Sequence, residues 1–158
     1  MISLALIALL AASGEAGSTT LAPDRSLFGD EHVRQYEATG GKVGHDWNGT
    51  TCLILRTVGR KSGQTRKVPL IYGRAGNDYI VIASKGGAPQ NPGWYENLVA
   101  HPDVEIQVRD QIIKVRARTA SADEKKRLWT IMTTQWPGYD EYKKRTARDI
   151  PLVVLTPR

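Results

Sequence analysis

A chain of 158 residues, 41% hydrophobic and 24% charged, has the size and apolar content for one globular domain and leaves no room for a second. Its net charge of +6 and pI near 9.6 point to an anionic partner without choosing among nucleic acid, a membrane surface and a phosphorylated small molecule. The single cysteine, Cys52, excludes an internal disulfide and any multi-cysteine metal site, and within an apolar run it reads as a small buried hydrophobe.

The chain opens with an apolar run, Ile2 to Ala12, too short to span a bilayer as a helix. The first basic residue is Arg25, so the positive start of a secretory signal is missing. Residues 1–25 read as an N-terminal apolar extension and linker, with a signal peptide, a membrane-touching segment or a misassigned start as the alternatives, and 26–158 as the folded domain. Phe28, Val33 and Tyr36 among charged residues suit a short helix closed by Gly40 and Gly41. Next comes TCLILRTVGRKSGQTRKVP, Thr51 to Pro69, a hairpin with a basic tip. Arg56, Arg60, Lys61, Arg66 and Lys67 lie in it without an acid between them, beside Gly59 and Gly63. Converging backbone N–H groups and unpaired cations make such a tip a seat for phosphate or carboxylate, although a solvated basic surface is the alternative. The glycine spacing is neither a Walker loop nor the dinucleotide fingerprint.

Leu70 to Arg74 and Asp78 to Ala83 read as strands around Ala75-Gly76-Asn77, which with the hairpin predicts a meander. Asn91 is placed to cap a helix with Pro92 in its first position, ending at His101-Pro102. Val104 to Val108 and Ile112 to Arg118 form a second hairpin around Asp110. Ser121 and Glu124 make a capping box for a helix running to Trp136, broken by Pro137-Gly138. A helical piece from Tyr139 to Thr146 and a strand from Leu152 to Thr156 complete the chain. About six short strands with few connecting helices argue for a mainly antiparallel α+β barrel and against a doubly wound sheet.

His32, His45 and His101 have no metal-ligand spacing, so no metal is expected, and Ser62 and Ser84 lack partners for a nucleophilic triad. An enzyme of this composition borrows its reactive group from a cofactor. A small basic barrel with aromatics also fits single-stranded nucleic acid, but here the aromatics cluster in helical stretches and no strand alternates basic and aromatic residues, so no nucleic-acid partner is expected.

Three blocks, TVGRKSGQTRKVPL, IVIASKGGAPQNPGWYENLVAHPDVEIQV and WPGYDEYKKRTARDIPLVVL, in this order and spacing resemble the actinobacterial deazaflavin-dependent nitroreductases, also described as F420H2-dependent quinone reductases. The resemblance covers Tyr36 to Arg158 and implies a split β-barrel related to the flavin-mononucleotide-binding barrels, a cytoplasmic location and coenzyme F420 as cofactor, with flavin mononucleotide as second choice. It further implies that Arg60, Lys61, Ser62 and Arg66 hold the anionic tail, that Pro69 and Leu70 flank the ring, that Ala83, Ser84, Lys85 and Gly86 approach its edge, and that Trp94 and Asn97 close the pocket. Tyr139 and Tyr142 match tyrosines on the acceptor side, with ordinary packing as their alternative role; with Ser84 they are the candidate catalytic groups. The implied acceptor is a quinone, or a nitroaromatic, and the basic surface suits peripheral contact with anionic lipid. Ile71 departs from relatives that carry an aromatic there, which leaves acceptor preference open. A carrier or sensor that binds the deazaflavin without turnover is the alternative within the same fold. The sequence does not address oligomeric state.

Overall fold

The computed structural model describes residues 27–158, so the apolar extension expected over residues 1–25 lies outside the described residues. In chain order the elements are α1 (Gly29–Thr39), β1 (Asp46–Trp47), β2 (Thr50–Val58), β3 (Thr65–Ile71), β4 (Gly73–Ala75) and β5 (Asp78–Ile82). After them come α2 (Gly93–Ala100), β6 (Asp103–Val108), β7 (Gln111–Thr119), α3 (Ala122–Gln135), α4 (Gly138–Lys144) and β8 (Leu152–Pro157). Eight strands form one curled antiparallel sheet in the order β1-β2-β6-β7-β8-β5-β4, with β3 joined to β2. The architecture is the expected split barrel with flanking helices. The two strands beyond the expected number are short: β1 pairs with the start of β2 through the turn at Asn48-Gly49, where both residues have positive φ, and β4 holds three residues.

The predicted meander does not form. The run from Leu70 to Arg74 breaks at Tyr72, whose N–H turns back to the Thr51 carbonyl at 3.1 Å, so Leu70 and Ile71 finish β3 while Gly73 starts β4. β4 pairs with β5, and β5 pairs onward with β8 rather than with β3. Past the break the backbone sits directly under α3, where a Cβ on Gly73 would lie 2.9 Å from the Met132 sulfur. Asn91 does not cap α2 either. Pro92 is the N-cap residue, with extended backbone, and the Asn91 amide oxygen instead accepts a hydrogen bond from Arg148 Nη1 at 2.7 Å. The capping box at Ser121 and Glu124 is present as expected.

The apolar strands are buried on both faces, which is why DYIVI and LVVL read as continuous runs without alternation. Leu53, Leu55, Val81, Ile106, Val115, Val153 and Leu155 fill the barrel interior. Ile80, Ile82, Leu152 and Val154 point outward against Leu128, Trp129 and Met132 of α3 and Tyr139 of α4. On the third side Ile54 packs beneath Val33 and Tyr36 of α1. Tyr36 is fully enclosed; its hydroxyl donates to the Cys52 carbonyl at 3.0 Å and accepts from the Arg109 N–H at 2.9 Å, and burial pushes its phenol up to about 12.

Glu37 fixes the far end of α1 to the hairpin. Its carboxylate accepts from Arg56 Nη2 at 2.8 Å and Lys67 Nζ at 2.9 Å. The uninterrupted basic sequence therefore overstates the free charge of the tip, because an acid that neutralises Arg56 and Lys67 arrives from another element. Burial works to raise the Glu37 carboxyl, but the hydrogen bonds from Lys67 and Arg56 outweigh it and hold it below its ordinary value. A depressed folded-state value contributes stability that is complete above pH about 4.5 and is lost as pH falls further. Glu37→Gln should lower stability at neutral pH by about 1 kcal/mol, since the pair is partly exposed, and should flatten the acid limb of a Tm-against-pH curve. A variant whose acid limb matches wild type would show that this bridge carries no stability.

Candidate active site

Two adjoining concavities occupy the side of the barrel where β3 and β5 approach without pairing. The first, about 400 Å³, lies at the hairpin tip and is lined by Gly59, Arg60, Lys61, Ser62, Arg66 and Lys67 with Trp94 and Asn97 of α2. The second, about 450 Å³, follows the open seam along Val68, Pro69, Leu70 and Ile71 of β3 to Ser84, Lys85 and Gly86, and is closed by Tyr139 and Tyr142. Val68 and Trp94 line both, so a basic groove leads directly into an apolar cleft.

Local chemistry explains the groove. Gly59 lets the turn close tightly: a Cβ there would fall 2.5 Å from Ser62 Oγ and 3.2 Å from the Gln64 carbonyl. The turn is closed by Gly59 N–H to Gln64 O at 2.8 Å and Gly63 N–H to Gly59 O at 2.8 Å, and Ser62 Oγ accepts from the Gln64 N–H at 3.2 Å. Asn97 is buried and anchors the tip from α2. Its amide oxygen accepts from the Arg60 N–H at 3.1 Å and from Arg60 Nη1 at 2.9 Å, while Nδ2 donates to Thr57 Oγ1 at 3.3 Å. Arg60 is thus held along the groove wall. Lys61 and Arg66 are exposed, and among the described residues neither pairs with a carboxylate. The donors that fit an anionic tail are those two cations, the remaining Arg60 donors and the Ser62 hydroxyl.

The seam cleft is walled by aromatics. Trp47 and Trp136 lie 5.8 Å apart between ring centres, and Tyr139 and Tyr142 meet edge-on at 6.0 Å. Trp136 Nε1 donates to the Tyr142 hydroxyl at 3.3 Å, which leaves the Tyr142 proton free to point elsewhere. Tyr139 is 6% exposed; burial, with the Cys52 thiol and Tyr142 phenol nearby, raises it far above the ordinary phenol range, so it stays protonated. Cys52 lines the cleft floor as a neutral thiol, pushed up to about 12 by burial. His32 also reaches the cleft; burial lowers its value, opposed by the hydrogen bond its Nε2 donates to the Gly44 carbonyl at 2.9 Å.

Of the residues singled out from sequence, all but Ala83 line one concavity or the other. The Ala83 side chain is fully buried, and its carbonyl accepts from Arg148 Nη1 at 3.1 Å. Sequence reasoning missed Trp47, Trp136, His32 and Phe28, and the supporting Arg148. Trp136 and Arg148 stood inside a block that carried the family resemblance, and the Asn-Gly pair at 48–49 was an available signal for the hairpin that presents Trp47. Nothing local marked His32, whose place depends on where α1 docks.

The model of the F420H(2)-dependent quinone reductase family matches residues 29–157. A Mycobacterium tuberculosis protein named F420H(2)-dependent quinone reductase is 43% identical over 131 residues, covering 80% of this chain and 88% of the relative. The solved structure of an F420-H2 dependent reductase superposes with a TM-score of 0.62 at 35% identity, covering 66% of this chain and 92% of that one. A further structure, described as a domain-swapped dimer, gives a TM-score of 0.65 at 32% identity over 79% of this chain and 92% of that one.

The groove's shape rests on Asn97. Asn97→Ala removes the acceptor of the Arg60 N–H and guanidinium and should destabilise the fold by about 1 kcal/mol, with faster amide exchange at Arg60 and Lys61 than elsewhere in the sheet. Uniform exchange rates in the variant would mean that the tip holds its shape without this anchor.

Proposed function

This chain belongs to the F420H(2)-dependent quinone reductase family, and from that premise we propose that it reduces a quinone with reduced F420 held across the basic groove and the seam cleft. The observation that carries the reading is the continuity of the two concavities at Val68 and Trp94, which sets unpaired cations at one end and a flat aromatic cleft at the other. Such a gradient suits a ligand with an anionic tail and a planar ring.

Lys61, Arg66, Arg60 and Ser62 bind the tail phosphate and carboxylates, Lys61 as a point charge and the arginines by forked donation. Pro69 and Leu70 pack against one side of the ring, and Ser84, Lys85 and Gly86 line its edge, with Trp94 at the junction. When bound, the reduced deazaflavin supplies a hydride. The chain's share is to stack the acceptor between the ring and the aromatic wall and to exclude water from the cleft. Tyr142, its oxygen engaged by Trp136, turns its proton toward the acceptor, and Tyr139 stays protonated at any physiological pH; both donate hydrogen bonds as negative charge builds on the quinone oxygen. Ile71 rather than an aromatic on the cleft wall leaves more width for the acceptor.

Access to a lipid-dissolved quinone is favoured by exposed Phe28 and Lys85 on the cleft rim and by exposed Arg145 beside Gly86, a combination that suits peripheral contact with anionic lipid. Among the described residues no helix is long and apolar enough to cross a membrane.

The deciding experiment titrates the chain with oxidised F420, flavin mononucleotide and a single-stranded oligonucleotide side by side, then follows oxidation of reduced F420 with a menaquinone analogue. Preference for F420 with turnover supports the reading; binding without turnover would make the chain a carrier. Lys61→Ala and Arg66→Ala should each weaken F420 binding by about 1–3 kcal/mol, more at low salt than at high. Tyr139→Phe and Tyr142→Phe should leave F420 affinity nearly unchanged and slow turnover by about 10- to 1000-fold, whereas Ser84→Ala should impair binding as well. Wild-type rates in both tyrosine variants would reduce the hydroxyls to packing groups.

A further inference from the structure

The guanidinium of Arg148, on the segment between α4 and β8, makes four hydrogen bonds, all to one loop. Nε donates to the Ala88 carbonyl at 3.0 Å, Nη1 to the Ala83 carbonyl at 3.1 Å and to Asn91 Oδ1 at 2.7 Å, and Nη2 to the Ser84 carbonyl at 2.8 Å. These four acceptors bracket Lys85, Gly86 and Gly87, three successive residues at φ of 46°, 63° and 82°. A left-handed lysine is an uncommon conformation that persists only where its surroundings enforce it. Two further contacts hold the loop: Arg145 Nη1, on the same segment, donates to the Gly86 carbonyl at 3.4 Å, and α4 packs so close that a Cβ on Gly87 would fall 2.7 Å from the Tyr142 carbonyl.

A trans peptide points each carbonyl opposite to the N–H that follows it. Drawing the Ala83 and Ser84 carbonyls onto Arg148 therefore turns the N–H groups of Ser84 and Lys85 away from the guanidinium. Resting on the assignment of this loop to the deazaflavin, we propose that Arg148 is a positioning residue for the cofactor: it ties back the Ala83, Ser84 and Ala88 carbonyls and so fixes the loop edge that meets the ring. Its planar fork serves three carbonyls and an amide oxygen at once, which a lysine ammonium does not. The residue acts through the loop and touches neither reactant.

The test compares Arg148→Gln, Arg148→Lys and Asn91→Ala with wild type in three measurements. F420 affinity should fall by about tenfold in Arg148→Gln, less in Arg148→Lys and by about threefold in Asn91→Ala, with the KM for the quinone unchanged. Without F420, trypsin should cut the Lys85–Gly86 bond faster in the same order, while cleavage elsewhere and Tm move much less; a general loss of structure would accelerate every site together. If Arg148→Gln does not fold, Asn91→Ala decides by the same two readouts. Wild-type F420 affinity together with wild-type protection of the Lys85–Gly86 bond would overturn the role. Failure of the wild-type chain itself to bind F420 would overturn the cleft assignment and this role with it, and needs no variant to detect.

Discussion

A sheet that curls nearly into a barrel must either close or leave an edge, and here the edge is left where β3 and β5 approach each other unpaired. Pro69 sits within β3 and carries no N–H, so that strand presents a poor template for a further partner. The backbone break at Tyr72 then carries the chain away from β3 before it re-enters the sheet as β4 and β5. Everything that forms the seam cleft follows from this gap: its wall is β3, its far side is the loop after β5, and its cover is α4 packed on that loop.

Charge is distributed around the gap by pairing rather than by local sequence. Glu37 neutralises Arg56 and Lys67 from across the sheet, and Asn97 takes part of Arg60. Among the described residues, what remains without a carboxylate partner at the tip is Lys61 and Arg66 beside the Asn97-held Arg60, a smaller and more directed positive field than the five cations of the hairpin suggest. The groove is therefore selective in where it offers charge, and α1, which brings Glu37, is part of the reason.

The C-terminal segment couples the two sides of the cleft. α4 carries Tyr139 and Tyr142, its backbone touches Gly87, and Arg145 and Arg148 beyond it hold the loop that bears Ser84 and Lys85. The wall at Ser84–Gly86 and the wall at Tyr139 and Tyr142 are thus joined by direct contacts. That arrangement suits a reaction in which two flat molecules must keep a fixed separation.

The sequence alone determined the elements whose signals are local. The capping box at Ser121 and Glu124, the hairpins through Gly59–Gly63 and around Asp110, the helix stop at Pro137-Gly138 and the apolar strands all depend on neighbours a few residues away. The basic tip and the three-block resemblance likewise placed most of the cleft lining, because side chains of one hairpin or loop share a surface wherever that loop is put. Only the tertiary structure decided which strands are neighbours, which cations stay unpaired and which arginine serves the loop. Glu37 reaches Arg56 over 19 residues, and Arg148 reaches Ser84 over 64. Asn91 illustrates the limit: its sequence signal as a helix cap was sound, but a guanidinium brought in by the fold offered its amide oxygen a stronger, charge-assisted partner than a helix N–H.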